Sequence, residues 1–277
     1  MQFKFLGTAA AEAIPARFCE CDVCCFARKN RGKEIRRRAS YLIDDDILVD
    51  FGPDSYWQEI EYNIDYLKIR HIIITHPHED HLRPYELLYR KNGYSKVTQK
   101  INVYGGYKIF NTIMGCAAAS NGLLTPEDLH FNPVTLQSGE PFKTDDLEII
   151  PMAANHMPGG TPMIYIIRRQ GKSVLICNDT GWPPPESMTT LKNQQVDMAV
   201  LDSTSGLLYP DTCNGHMGIN TVKKLKDELL SCGAIKVHAP VFATHFSHNG
   251  GGTHEKLSAA YADAGISVAY DGLAVQI

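Results

Sequence analysis

The segment His71-Ile72-Ile73-Ile74-Thr75-His76-Pro77-His78-Glu79-Asp80-His81 places three imidazoles and a carboxylate within six residues, directly after a β-branched apolar run. Such a set does not belong in an apolar core and reads as metal ligation. On a loop leaving a strand, His76 and His78 point the same way and can share a metal. Asp80 and His81 are expected to start the next helix and to address a second metal nearby. Imidazoles with one carboxylate suit Zn²⁺, Mn²⁺, Fe or Ni²⁺ and suit Ca²⁺ or Mg²⁺ poorly. At this chain's own His and Asp frequencies, the pattern arises by chance about once in a thousand such chains. Three further candidates each follow an apolar run: His156 after Ile149–Met152, Asp179 after Val174–Cys177, and His245 after Val241–Thr244. Any one of them alone is unremarkable chemistry; together with the first segment they predict a dinuclear site.

The elements that must position these residues are read from apolar runs bounded by polar turns. Strands are expected at Phe3–Leu6, Tyr41–Ile43, Ile47–Asp50, Ile72–Thr75, Ile101–Tyr104, Leu147–Met152, Met163–Arg168 and Ser173–Cys177. Three more are expected at Met198–Asp202, Ala234–Val237 and Leu273–Ile277. The turns at Asp44–Asp46 and Arg169–Lys172 predict hairpins. The three acids at the first of these tips are read as solvated rather than metal-binding. Ile219, Val222, Leu225 and Leu229 recur at helical spacing. Ser55 with Gln58 suggests a capping box, and Thr253 with Lys256 another helix start. Early hairpins mixed with later helices predict an α/β chain of layered sheets flanked by helices.

At 277 residues, 44% hydrophobic, 21% charged and net charge -4, the chain is ordinary globular material, read as a single domain over 1–277. The mild acidity argues against nucleic acid or an anionic membrane as partner, since both need concentrated basic surface. No apolar run approaches the roughly 18–20 residues that span a bilayer. Met1 to Pro15 shows no apolar leader pattern, so the expected location is cytoplasmic. Cys19, Cys21, Cys24 and Cys25 crowd into seven residues, which in a reducing compartment favours metal binding over disulfides. Three thiolates call for a fourth donor, either adjacent Cys25 or a remote residue.

The order H-x-H-x-D-H, His, Asp, His resembles the metallo-β-lactamase superfamily over nearly the whole chain, from Leu6-Gly7-Thr8 to Tyr270-Asp271-Gly272. The resemblance implies a four-layer αββα sandwich with two divalent metals at one edge. By it, His76, His78 and His156 hold the first metal. Asp80, His81 and His245 hold the second, and Asp179 bridges them. Asp50, in Leu48-Val49-Asp50-Phe51-Gly52, matches an aspartate that positions the metal loop.

The C-x-C-x-x-C segment, with Thr244-His245-Phe246-Ser247-His248, further resembles the phosphonate-pathway phosphodiesterases of the PhnP type. This implies a structural zinc held by Cys19, Cys21, Cys24 and His248, with Cys25 a small buried residue. Gly7-Thr8, Pro15, the Arg36–Arg38 run and Asp179-Thr180 agree with it. The resemblance makes His216, in Cys213-Asn214-Gly215-His216, the group that protonates the leaving oxygen, and it implies a homodimer. The implied activity is hydrolysis of a small cyclic phosphate or nucleotide-like diester by two Zn, Mn or Ni ions, with Asp80, Asp179 and His216 at the reacting centre. Rival readings are lactone, thioester or β-lactam hydrolysis on the same metals, a PqqB-like cofactor-biosynthesis protein, and a zinc-binding module without activity. The complete ligand set argues against the second of these, and the lack of a basic arm argues against a tRNA nuclease. Departures are Pro77 between the first two ligands and apparent extensions at 106–133 and 205–214, expected to line a substrate pocket.

Overall fold

The computed structural model describes residues 1–277, the side chain of Asn121 excepted. Two seven-stranded sheets face each other. The first contains β1 (Gln2–Gly7), β2 (Ser40–Ile43), β3 (Ile47–Val49), β4 (His71–Ile73), β5 (Ile101–Gly105), β6 (Phe131–Thr135) and β14 (Ala274–Gln276). The second contains β7 (Phe142–Lys143), β8 (Glu148–Ala153), β9 (Met163–Arg169), β10 (Lys172–Cys177), β11 (Met198–Asp202), β12 (Val241–Thr244) and β13 (Ile266–Val268). The helices are α1 (Asp22–Asn30), α2 (Ser55–Tyr62), α3 (Pro84–Leu88), α4 (Tyr107–Asn121), α5 (Pro185–Leu191), α6 (Ile219–Ser231) and α7 (His254–Tyr261).

The strand orders are β14-β1-β2-β3-β4-β5-β6 and β13-β12-β11-β10-β9-β8-β7. Each sheet is antiparallel where hairpins build it and parallel where the chain crosses over. Thus β2 pairs antiparallel with β3, and β9 with β10, whereas β3, β4, β5 and β6 run parallel, as do β10, β11, β12 and β13. Successive residues of a strand point to opposite faces, and this alternation fills the layers. Val174 and Ile176 face inward to Phe3, Phe5, Tyr41, Val49 and Ile73 of the opposite sheet. Leu175 and Cys177 face outward beneath Val222, Leu225 and Leu229 of α6 and Leu257 of α7. On the other outer face Leu48, Ile72 and Val103 lie beneath Leu87 and Leu88 of α3 and Ile109 and Ile113 of α4. The chain is an αββα sandwich.

Several expectations are corrected. Ala234–Val237 is no strand: Ile235 makes one bridge to Val196, after Gly233 turns the chain at φ 70°. β12 already fills the parallel place beside β11, leaving no edge for that segment to extend. β6 was not expected, because Pro133 interrupts it. It is an edge strand, where a missing N–H can point away from the ladder. The extension at 106–133 is largely α4, whose buried Ile109, Ile113 and Ala117 pack on the first sheet. The cysteine cluster runs directly into α1, with Cys21 at the N-cap position. No Ser55 capping box forms: Asp54 occupies the N-cap, and its carboxylate pairs with Arg38 at 3.1 Å. Thr253 does cap α7, its hydroxyl accepting from Lys256 N–H at 3.3 Å. Asp46, at the acidic hairpin tip, is bonded to Arg169 rather than simply solvated.

Candidate metal centre

The ends of β3, β4, β8, β10, β11 and β12 meet at one edge of the sandwich, and each delivers a polar residue there. Asp50, Asp179 and His245 leave their strands through left-handed backbone, at φ 61°, 52° and 59°. That conformation costs a non-glycine residue of order 1–3 kcal/mol, and such strain concentrates where a side chain must be aimed. Asp80 and His81 do not start a helix, as the sequence pattern suggested. They sit in a turn in which the His78 carbonyl accepts from His81 N–H at 3.1 Å and Leu82 N–H at 2.9 Å. The following helix starts only at Pro84, whose fixed φ suits a first helical position. Phe51 N–H donating to His81 O at 2.8 Å, and Arg83 N–H to Phe51 O at 2.7 Å, pin the turn to the exit of β3.

His76, His78, His156 and Asp179 bring one donor atom each to within 4.8 Å of one another, and so do Asp80, His81, Asp179 and His245. Asp179 belongs to both groups. Its Oδ2 lies 3.1 Å from His76 Nε2, 3.0 Å from His81 Nε2, 3.5 Å from His156 Nε2 and 3.8 Å from His245 Nε2. The outer nitrogens of those four rings are tied elsewhere. His81 Nδ1 faces Asp50 Oδ2 at 2.6 Å, and His156 Nδ1 faces the Gly215 carbonyl at 3.2 Å. The Thr75 hydroxyl donates to Asp50 and so accepts from His76 Nδ1 at 3.0 Å. The Thr204 hydroxyl donates to Asp202 at 2.8 Å and accepts from His245 Nδ1 at 2.8 Å. These tautomers, assigned from the hydrogen-bond network, leave four Nε2 lone pairs converging on one carboxylate.

Acceptors facing acceptors at these distances require positive charge between them. Protons can supply only part of it. Against the cost of burial, Asp50 and Asp80 hold His81 protonated well above the usual imidazole range. Burial, followed by repulsion from that charged ring, pushes His76 down to about 4. His76 Nε2 nevertheless lies 2.8 Å from His78 Nδ1, which is itself 3.2 Å from His156 Nε2. Buried Asp179 Oδ1 has no hydrogen-bond partner. Despite its burial, the carboxyl of Asp179 stays far below the usual range because His245, His76 and His81 surround it. The residues present therefore fit divalent cations, and the two donor groups meet at Asp179.

His216 stands at the rim, a third exposed, with Nδ1 3.2 Å from Asp179 Oδ1 and 3.6 Å from Asp202 Oδ2. Burial opposes its charge, but Asp202 and then Asp179 raise it to about 9. Three supporting residues escaped sequence reasoning: Thr75, Thr204 and Asp202. Asp202 is fully buried and accepts from the main-chain N–H groups of Met217 at 2.8 Å, Thr204 at 3.1 Å and Asp179 at 3.1 Å. The available signal was an acid ending an apolar strand, the pattern that marks Asp50 and Asp179.

Away from this edge, the donor atoms of Cys19, Cys21, Cys24 and His248 also lie within 4.8 Å of one another. Cys19 Sγ and Cys21 Sγ approach His248 Nδ1 at 3.5 and 3.6 Å. All eight cysteines are free. Three sulfurs and one imidazole make a closed donor set suited to tetrahedral zinc. Cys25 is not buried, contrary to expectation; it lies exposed on α1 with its thiol donating to Glu20 O at 3.3 Å. His248 follows three residues after His245, so this cluster braces the loop that carries a candidate ligand of the other.

A cavity of about 230 Å³ lies over the His/Asp cluster, bounded by Ala10, Ala11, Glu12, Thr204, His216 and Ser247. Through His156 it adjoins a second cavity of about 600 Å³. The 205–214 stretch was expected to line the pocket, yet none of its residues bounds either cavity, and Leu208 and Tyr209 are exposed. Of 106–133, only Gly106 and Tyr107 reach the larger cavity. A cleft of about 380 Å³ beneath Tyr66, Leu87 and Arg90 contains none of the clustered donors. Among the described residues, no helix is long and apolar enough to cross a membrane.

Comparison with known proteins supplies the context. The family model described as Anti-Pycsar protein Apyc1 matches residues 40–231. No curated protein sequence matches the chain. Among solved structures, a diphosphatase from the PhnP family is 20% identical at TM-score 0.74, covering 100% of this chain and 97% of its own. Zn²⁺-bound PqqB from Methylobacterium extorquens is 16% identical at TM-score 0.74, with 100% of both chains covered. The metallo-β-lactamase fold protein YhfI from Bacillus subtilis is 17% identical at TM-score 0.70, covering 99% of this chain and 98% of its own. The fold is that of the metallo-β-lactamases.

Proposed function

The chain belongs to the Anti-Pycsar protein Apyc1 family, and from that membership and the geometry of the site we propose a metal-dependent phosphodiesterase acting on a small cyclic phosphate or nucleotide-like diester. The observation that carries this reading is the convergence of four oriented imidazoles on the shared carboxylate of Asp179. His76, His78 and His156 would hold one divalent ion, and Asp80, His81 and His245 the other, with Asp179 common to both. Zn, Mn or Ni ions bound there would activate water near neutral pH and neutralise phosphoryl oxygens.

The chain's own residues do the rest. Asp50 and Asp202 fix the imidazole tautomers through Thr75 and Thr204, so that the site is set before substrate arrives. His216, held protonated by Asp202 and Asp179, is placed at the rim to give a proton to the departing alkoxide oxygen. Cys19, Cys21, Cys24 and His248 would enclose a structural zinc that braces the His245 loop.

The test is a substrate panel run on protein of measured metal content after loading with Mn²⁺, Ni²⁺ or Zn²⁺. Hydrolysis of a bis-aryl phosphodiester and of cyclic phosphates supports the reading. Turnover of a thioester or lactone alone overturns it, and about one tight zinc per chain with no turnover points to an inactive module. Loss of a positioned general acid costs typically about 10²–10⁴ in rate. His216→Ala should therefore slow alkoxide leaving groups by about 10² or more and an aryl leaving group far less. Equally small losses for both remove His216 from that role.

A further inference from the structure

Phe51, which pins the turn carrying Asp80 and His81, also lines two hollows of about 380 and 270 Å³ between α2, α3 and β4. Tyr66, Glu86, Arg90 and Ser95 line both as well, so the hollows form one cleft. The larger lies within the roughly 300–1,000 Å³ range of small-molecule sites. Its floor is apolar, made by Phe51, Ile69, Ile72, Leu87 and Ile101. The smaller is walled by Tyr56, Tyr66 and Tyr89 together with Glu59 and Glu86. One end of the cleft is hydrocarbon and the other is aromatic and acidic.

Polar groups at the acidic end lack partners. Tyr66 holds its ring 6.0 Å from that of Phe51, and its hydroxyl is buried with no hydrogen-bond partner. Glu59 and Glu86 are half-buried, and among the described residues neither carboxylate takes part in an ion pair or hydrogen bond. The cations of the cleft do not answer them. Arg90 donates from Nε to Leu129 O at 3.2 Å, and from Nη2 to Gln99 O at 2.9 Å and His130 O at 3.0 Å. Lys96 is exposed and lines the larger hollow only. Burial, and then the charges of Glu59 and Glu86, push the Tyr66 hydroxyl above the usual tyrosine range. Negative charge therefore dominates where that hydroxyl stands. An organic ammonium ion fits this place: its N–H groups donate to phenolic and carboxylate oxygens, and the ring faces attract its charge. The apolar floor takes the hydrocarbon attached to it, and an anion is repelled.

We infer that this cleft is an effector site for an organic ammonium ion with a small apolar body, held at its head by Glu59, Glu86 and Tyr66, and that occupancy reaches the metal turn through Phe51. Phe51 N–H donates to His81 O and Phe51 O accepts from Arg83 N–H, so a ligand seated against the Phe51 ring favours the pinned form of the turn. Linkage makes the effect mutual, with ammonium and metal each strengthening the binding of the other. The inference goes beyond the proposed hydrolysis and holds whatever substrate the metals act on.

Phenylethylammonium, phenylethanol and phenylpropionate share an apolar body and differ in the head group. NMR titration of the full chain after chelator treatment needs neither metal nor turnover. The ammonium ion should bind about 5- to 30-fold more tightly than the alcohol and shift resonances of Phe51, Tyr66 and Leu87, and the carboxylate should not bind. Glu86→Gln should weaken the ammonium ion by about 3- to 10-fold. Tyr66→Phe should weaken it by about 2- to 10-fold without lowering Tm, because the hydroxyl it removes has no partner in the folded chain. With the cleft saturated, Mn²⁺ affinity measured by dye competition should rise by about 5-fold. Equal binding of the three probes, or ammonium binding unmoved in both variants, overturns the site. Failure of all three to bind, including the case in which a second copy of the chain covers this face, overturns it too. Ammonium binding that leaves Mn²⁺ affinity within a factor of about two overturns the link to the metal turn. None of these readouts involves hydrolysis, so failure of the proposed phosphodiesterase reaction is seen separately.

Discussion

Asp202 belongs to neither of the two donor groups proposed to hold cations, and replacing it with Asn isolates its support of them. In the native protein its two oxygens take three main-chain N–H donors and the Thr204 hydroxyl, all buried. An Asn can keep Oδ1 for Met217 N–H and Thr204 N–H. Its amide then sets a donor against Asp179 N–H, and the Thr204 hydroxyl falls back on the His245 carbonyl, 2.8 Å away. One buried N–H is left without an acceptor, costing about 1–3 kcal/mol, and the charge that strengthened the remaining bonds is gone. The expected loss is therefore about 2–4 kcal/mol. The stranded N–H belongs to Asp179, the residue common to both donor groups and their proposed shared ligand, and His245 loses the relay through Thr204. Metal affinity should fall about 10- to 100-fold. Urea unfolding of chelator-treated protein reads the first quantity, and competition against a metal-sensing dye reads the second. A stability loss under about 0.5 kcal/mol, with affinity within a factor of about two, would refute the relay described for Asp202.

Other expectations follow from separate features. Gly52→Ala places a Cβ 2.0 Å from the Asp80 carbonyl oxygen, so the turn that presents Asp80 and His81 must shift; a loss of about 1–3 kcal/mol with weakened metal binding is expected in unfolding and metal-titration experiments. Cys21→Ser should remove one zinc per chain by mass spectrometry or atomic emission and markedly lower the melting temperature, because structural zinc contributes folding energy directly. Unchanged metal content and melting temperature would exclude that site. His254 accepts from the buried guanidinium of Arg36 at 3.0 Å, and burial, then Arg36 and Lys33, push it down to about 4. Its folded value is depressed, so the stability it contributes is present above pH 6.5 and is lost as the pH falls toward 4. The stability difference between the native protein and His254→Gln should shrink across that window in pH-dependent unfolding.

Much of this arrangement is legible in the sequence because its residue types have few other uses. Three imidazoles and a carboxylate after a β-branched run have little structural purpose, and strands bounded by polar turns declare the hairpins at 44–46 and 169–172. What stays hidden depends on partners distant in sequence. Asp202 ends a strand like any surface acid until β12 and the loop before α6 bring His245 and Met217 to it. α1 is masked because thiolate spacing and helix formation use the same residues, Cys21 serving as both donor and N-cap position. α4 mixes Gly, Ala and Cys with apolar residues, so its buried face is weakly marked. Pro133 argues against a strand until the edge position of β6 removes the objection. Ala234–Val237 has strand-like residues, but the place they would take beside β11 belongs to β12.

Crystals grown with Mn²⁺ and measured at its absorption edge would locate the ions directly. Two anomalous peaks about 3.5–4 Å apart, one beside His76, His78 and His156 and one beside Asp80, His81 and His245, with Asp179 touching both, are expected. A single peak, or two peaks that do not share Asp179, would contradict the dinuclear centre.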